Sequence, residues 1–342
     1  MFRVPTVLVV GAGASAELGL PQGSGLLAQL AKALDIRFQF DRQESGDYQI
    51  QHALRQYCLG QTDDQHDGIM LLNEHLHAGL RIREAAQEGM SIDAIIDQHE
   101  NPMIEFVGKV AIVRKILEAE KRCPLSNKAG VAIDKCDGTW LPRLGRLLVE
   151  GRRIGTIGEI FENLIIVTFN YDRCIEQYLP HSLRGHYGIP ITDAQALVAG
   201  LRIYHPFGKV GRLPWGPGTE CAVEFGNDER ADLVASAAQI QTFTEQMADR
   251  KALAEIRAAI QIAHRIVFLG FAYHRPNLEI LTPPNSSDAR SIFGTVKGIS
   301  SQDRSVVQRQ LGTALDVEPS NVNLLDLTCT ELFDQNWRGL TE

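Results

Sequence analysis

The sequence lacks the features that most quickly assign a protein. Its six cysteines, Cys58, Cys123, Cys136, Cys174, Cys221 and Cys329, form no C-x-x-C pair. That excludes a paired-knuckle zinc module, and no metal is expected. The scatter suits reduced thiols in a cytoplasmic protein better than a secreted disulfide framework. No apolar run approaches the roughly 20 residues that cross a bilayer, so no membrane contact is expected. No basic run exists either. Lys plus Arg number 34 against 42 Asp plus Glu, for a net charge of −8. Such a chain is poorly suited to gripping a nucleic-acid backbone directly. A small anion held by backbone amides needs no net positive charge and stays open. Internal repeats and low-complexity tracts are also missing.

What is present is ordinary for a soluble globular protein: 342 residues, 44% apolar and 22% charged. The length suits one large domain, or a core carrying a substantial insertion. Val7 to Val10 are apolar and mostly β-branched, which reads as a fully buried parallel strand. Arg3, the run Thr6 to Val10 and the small residues Gly13 to Ala16 loosely mimic a leader peptide. The run is short, however, and glycines interrupt it where a nucleotide loop places them. A short helix after the loop must end or kink at Gly19 and Pro21. A helical pattern resumes over Leu26 to Leu34.

From 35 to 162 the chain turns polar, with apolar residues at helical spacing, as in Ile92, Ile95 and Ile96, then Phe106, Val110, Val113 and Leu117. We read a mostly helical insertion, with surface loops at Gln43 to Asp47 and Gln61 to Asp67. Strand character returns at Leu164 to Thr168, followed by a helix through Leu179. A short strand covers Arg202 to Tyr204, and one or two amphipathic helices lie between Ala231 and Ala263. Further strands are expected at Ile266 to Leu269, Ser291 to Val296 and Val322 to Leu325. Alternating strands and helices predict an α/β fold, a Rossmann-like parallel sheet with helices on both faces. Its core comprises 1–34 and 163–330, interrupted by the helical insertion 35–162 and followed by a tail at 331–342.

Four strand ends carry chemistry. Gly11 and Gly13 allow a tight turn and close approach to a pyrophosphate. Thr168-Phe169-Asn170-Tyr171-Asp172 places polar groups just past a buried strand. Asn170 can hold a ribose hydroxyl or a water, and Asp172 can cap the next helix. His205, in Tyr204-His205-Pro206-Phe207-Gly208, can take a proton near neutral pH. Gly270-Phe271 closes another strand, with His274 at the surface and Asn277 able to cap a helix. A dehydrogenase would want an acid about 20 residues past the glycine loop. Asp35 is there, but it follows a helical pattern rather than a strand. His75, His77, Asp64, His66 and Asp67 lie in polar segments and read as a solvated face rather than a metal site.

Taken together and in order, Gly11-Ala12-Gly13-Ala14-Ser15 with Gly19-Leu20-Pro21, Thr168 to Asp172, His205 with Gly208, and Gly270 to Asn277 resemble the sirtuin-like superfamily. They are similar in particular to bacterial sirtuin-like NADases of antiphage defence. Ser91 to Ile96 and Gly108 to Ile112 resemble the helical insertion of those proteins. The resemblance implies an NAD+ site. Gly11, Ala12, Gly13 and Ser15 would cradle the pyrophosphate, with Leu20 and Pro21 completing that turn. Asn170 would contact the nicotinamide ribose and position the attacking water, with Thr168, Phe169 and Asp172 beside it. His205 would be the general base, next to Gly208. Gly270 and Phe271 would line the adenosine side.

Departures narrow this implication. Deacylating sirtuins carry Asp-Phe-Arg after the glycine-proline turn, where this chain has Gln22, Gly23 and Ser24. They also carry a four-cysteine zinc module and a Gly directly after the histidine, where Pro206 stands here. Hydrolysis of NAD+ is therefore favoured over deacylation, a nicotinamide-dependent reductase or a non-catalytic NAD or ADP-ribose sensor. An unrestrained NADase would poison its cell. The implied partners are thus a homo-oligomer or a second defence protein, with the insertion, Phe333 and Trp337 as candidate contacts.

Overall fold

The computed structural model describes residues 2–40, 42–89, 91–126 and 133–341. Six strands form a parallel sheet: β1 (Thr6–Val10), β4 (Leu164–Thr168), β5 (Arg202–Tyr204), β6 (Arg265–Leu269), β7 (Ser291–Thr295) and β8 (Val322–Leu325). β2 (Arg37–Gln39) and β3 (Arg42–Ser45) form a separate antiparallel hairpin. The parallel sheet is ordered β5-β4-β1-β6-β7-β8. Counted along the chain among these six, that is third, second, first, fourth, fifth, sixth, the order of dinucleotide-binding sheets. The chain reverses direction across the sheet between β1 and β6. β1 is central and pairs over its whole length with both β4 and β6.

The continuous apolar strands follow from burial on both faces. Side chains alternate across a strand. Val7, Val9, Ile165, Val167, Ile266 and Phe268 enter one core. Leu8, Val10, Leu164, Ile166, Val267 and Leu269 enter the other. On the first face the sheet is covered by Gly23–Leu34, by the insertion helices Tyr48–Gly60, Gln65–Ala85, Ile92–His99 and Pro102–Arg122, and by Arg250–Ile262 and Ser301–Leu315. On the second face lie Trp140–Val149, Cys174–Tyr187 and Cys329–Thr341.

Several local expectations change. Gln43 to Ser45 belong to β3 rather than to a loop, and Asp47 caps the helix Tyr48–Gly60 through the amides of Gln49 and Ile50. Gln65 to Asp67 are the first turn of a helix capped by Asp64. The helix after β4 continues past Leu179 to Tyr187 with Pro180 inside it. Between Ala231 and Ala263 there are three helices, not one or two, because Thr242 and Asp249 each cap a fresh N-terminus. Asn277 lies inside the helix Arg275–Leu281, whose cap position is His274. At 331–341 the chain is helical and packed rather than a tail. Phe333 is 0% exposed and stacks on Trp140, so it is no contact surface. Trp337 is partly buried against the same core and donates to Glu150.

Among the described residues, no helix is long and apolar enough to cross a membrane.

Candidate functional site

Parallel strands deliver all their carboxyl ends to one edge of a sheet. The loops after β1, β4, β5 and β6 therefore meet, although their residues span 11 to 273 in sequence. At the switch point between β1 and β6 the two loops press backbone to backbone. The Gly11 amide donates to Leu269 O and the Gly13 amide to Gly270 O, each at 2.9 Å. A Cβ on Gly11 would sit 2.6 Å from Gly270 O, and one on Gly13 2.8 Å from Gly270 Cα. Gly270 itself has φ +58°, and its Cβ would lie 2.1 Å from the Ala14 nitrogen. The three glycines thus serve first to join these loops. Ala12 to Ala16 form a short helical turn, and the Leu20 amide closes back on Ser15 O before Pro21.

A buried polar network spans the first two loops. The Asn170 amide group donates to Gly11 O at 3.0 Å and to Ser15 Oγ at 2.7 Å. Ser15 Oγ in turn donates to Asp172 Oδ2 at 2.6 Å. Asp172 Oδ1 accepts from the Cys174 amide, the capping contact expected of it. Thr168 Oγ1 accepts from the Asn170 amide nitrogen at 3.3 Å. Ser15, Thr168, Asn170 and Asp172 are all buried. The Asn170 side-chain oxygen makes no hydrogen bond to the described residues.

The β5 loop brings His205 to the same place. Its Nδ1 lies 3.2 Å from the Asn170 carbonyl oxygen, and its Nε2 lies 3.0 Å from Glu176 Oε1. Lys209 Nζ donates to the same Glu176 oxygen at 3.3 Å. Both ring nitrogens face acceptors, so a ring satisfying both carries a proton on each. Burial opposes ionisation of Glu176. The neighbouring His205, with help from Lys209, outweighs it and holds the carboxyl down to about 2. Gly208, at φ +73°, closes the turn by donating to His205 O, and a Cβ there would meet Gln239 O.

An aromatic wall completes the cluster. The Phe169 ring centroid is 5.7 Å from that of Phe207 and 5.0 Å from that of Phe271, both edge-on. Beside it, Tyr171 Oη donates to Asp93 Oδ1 at 2.8 Å, so the insertion also reaches this edge.

Gly11 to Ser15, Thr168 to Asp172, His205 to Gly208 and Gly270-Phe271 therefore meet at one edge, with Leu20 and Pro21 behind the first loop, while Asn277 lies in the following helix. Asp35 does not join them: it pairs with Arg37 and Arg83 at the insertion surface. His75 is a core residue held by Leu71 O and beside Cys58 Sγ. His274 is exposed. Among the described residues no three His, Cys, Asp or Glu side chains converge as a metal site would need. Glu176, Lys209 and Asp93 escaped the sequence reading. The one signal for Glu176 was an acid one helical turn beyond Asp172.

Two surface cavities are lined by residues outside this polar network. One, of about 470 Å³, is lined by Gln49, His52 and Tyr57 opposite Asp232. The other, of about 830 Å³, is lined by Arg257, Arg275 and Arg309. The convergence of buried polar groups, rather than cavity size, marks the strand ends as the site.

No protein-family model matches this chain, and no curated protein matches it.

Proposed function

We propose that this protein is an NAD+ glycohydrolase, cleaving NAD+ to nicotinamide and ADP-ribose. The observation that carries the reading is the meeting of Asn170 and His205 at the carboxyl edge of a sheet with dinucleotide-binding order. The sirtuin-like motif order is the second support.

The reaction needs little acid assistance, because the nicotinamide leaving group is already cationic. It needs the ribose oriented, bulk water excluded and one water placed on the open face of the anomeric carbon. Asn170, locked by Gly11 O and Ser15, offers its free side-chain oxygen for that water or for a ribose hydroxyl. His205 Nδ1 is the nitrogen on the Asn170 side. It accepts the water's proton once its own proton has left, while Nε2–H stays on Glu176. A base oriented by a third group is the arrangement such catalysis uses. Phe169, Phe207 and Phe271 keep the edge dry.

The biological setting proposed is depletion of NAD+ in antiphage defence, in the cytoplasm. Activity is held low until a partner protein or homo-oligomer assembly releases it.

One observation favours a second reading. Both His205 nitrogens already have partners, which suits a non-catalytic sensor that binds NAD+ or ADP-ribose without turnover. Incubation with NAD+ and identification of products separates the two. Hydrolysis by the parent, lost in both Asn170→Ala and His205→Ala with unchanged melting temperature, supports the enzyme. Binding without products, retained in His205→Ala, supports the sensor.

A further inference from the structure

We propose that the groove between the helices Arg275–Leu281 and Ser301–Leu315 is a further ligand site, for a phosphorylated nucleoside whose phosphates meet arginine guanidiniums and whose base lies on an apolar floor. It stands whether or not the strand edge cleaves NAD+.

Two helices present matching faces to this groove. Arg275, Leu278, Glu279 and Thr282 line it from one side, and Val306, Arg309, Gln310 and Thr313 from the other. Both sets step by three, one and three residues, the spacing that keeps side chains on one helical face. Arg257 adds to the lining from the helix Arg250–Ile262. The volume, about 830 Å³, is within the ordinary span for a small-molecule site, roughly 300–1,000 Å³.

The lining carries three arginines against one acid, Glu279, in a chain whose net charge is −8. Arg257 is fixed in place. Its Nε donates to Ile280 O at 3.4 Å and its Nη2 to Glu279 O at 2.9 Å. Those carbonyls belong to the last turn of the helix Arg275–Leu281, so backbone holds this guanidinium without neutralising it. Among the described residues Arg257 Nη1 has no partner, and neither Arg275 nor Arg309, both exposed, pairs with an acid. Fork-shaped donors without counter-charges suit phosphate, which accepts two parallel N–H bonds from a guanidinium.

The floor suits a base. Leu278 and Pro283 are buried beneath it, and Val306 keeps 38% of its surface exposed. A planar ring covers such a surface, and guanidiniums also stack on aromatic faces. The wall formed by Arg275–Leu281 has seven residues, about 10 Å at 1.5 Å per residue. So short a groove suits one compact polyanion better than carboxylates spaced along a partner chain. The cavity of about 470 Å³ offers no such imbalance, because Glu229 and Asp232 line it together with Arg230.

The test is photolabelling of the full chain with an azido-adenine analogue of ADP, followed by mapping of the labelled peptides. Label is expected within 275–284 or 306–314. ADP is expected to compete for it far better than adenosine, which lacks the phosphates. The double variant Arg275→Gln, Arg309→Gln removes two exposed guanidiniums and should melt at the parent's temperature. Its affinity for ADP at this groove should fall by roughly tenfold or more, as loss of hydrogen bonds to a charged group gives. Label confined to the peptides of the strand edge, adenosine competing as well as ADP, or undiminished labelling of the double variant each overturns the proposal and leaves the NAD+ reading untouched. Absence of any label overturns it too. Displacement of the label by a glutamate-rich peptide at lower concentrations than ADP makes the groove a protein-docking surface and equally overturns the nucleotide assignment.

Discussion

His205 Nε2 meets the buried Glu176 carboxylate at 3.0 Å, and Lys209 reaches the same oxygen. The carboxylate fixes the ring's orientation and, in the proposed reaction, would stabilise the imidazolium formed when Nδ1 takes a proton. Glu176→Gln keeps the shape and removes the charge. In NAD+ cleavage it should lower kcat by about 10²-fold, the lower end of what a positioned base contributes. KM should change little. The acidic limb of the kcat–pH profile should move to lower pH, because the imidazolium loses its counter-charge. A merely structural Glu176 would leave that limb where it is.

The same pair makes stability depend on pH. The Glu176 carboxyl is depressed from an ordinary 4.5 to about 2. A depressed folded-state value stabilises the fold above the unfolded value and loses that stability as pH falls through the folded one. The contribution, roughly 3–4 kcal/mol at about 1.4 kcal/mol per unit, is complete above about pH 5 and fades between about 4.5 and 2. Chemical denaturation at pH 6, 4 and 3 measures it. Glu176→Gln should flatten this part of the profile, while other carboxylates still titrate.

What could be read in the sequence was what local pattern encodes. β1, β4 and β6 were legible because burial on both faces makes them continuous apolar runs. The β2–β3 hairpin was not, because its residues are largely exposed and polar and give no alternation. The strand-end residues were legible because glycines and polar groups punctuate those runs. Glu176 and Asp93 were not. Their contacts cross 29 and 78 residues of chain, and only the sheet order brings them to the edge. Asp35 shows the converse: the spacing rule presumes a strand before the acid, and here a helix precedes it.

The glycines at the switch point predict a sharp contrast. Gly270→Ala puts a Cβ 2.1 Å from the Ala14 nitrogen at φ +58°. Backbone must move on both loops, so a loss of roughly 2–4 kcal/mol is expected, at the severe end for a single substitution. Gly185 sits exposed within the helix Cys174–Tyr187, and a Cβ there meets nothing within 4 Å. Gly185→Ala should stabilise by about 0.5–1 kcal/mol. Thermal melts of the two variants check both signs.

Glu120 and Arg173 form an ion pair that is 0% exposed on both sides. Glu120 also accepts from the Gly226 amide, while Arg173 donates to the carbonyls of Val223 and Glu224. The pair therefore clamps the segment beyond the His205 loop to the end of the insertion helix Pro102–Arg122. Removing one partner strands the other charge in the core. Glu120→Met should cost about 3–5 kcal/mol. The double variant Glu120→Met, Arg173→Met removes both charges but leaves the backbone amides of residue 173 and Gly226 and two carbonyls unpaired. It should be less destabilised than the sum of its single variants, by about 2 kcal/mol or more. Urea unfolding of all four proteins closes that cycle, and simple additivity would mean that the pair contributes no coupling.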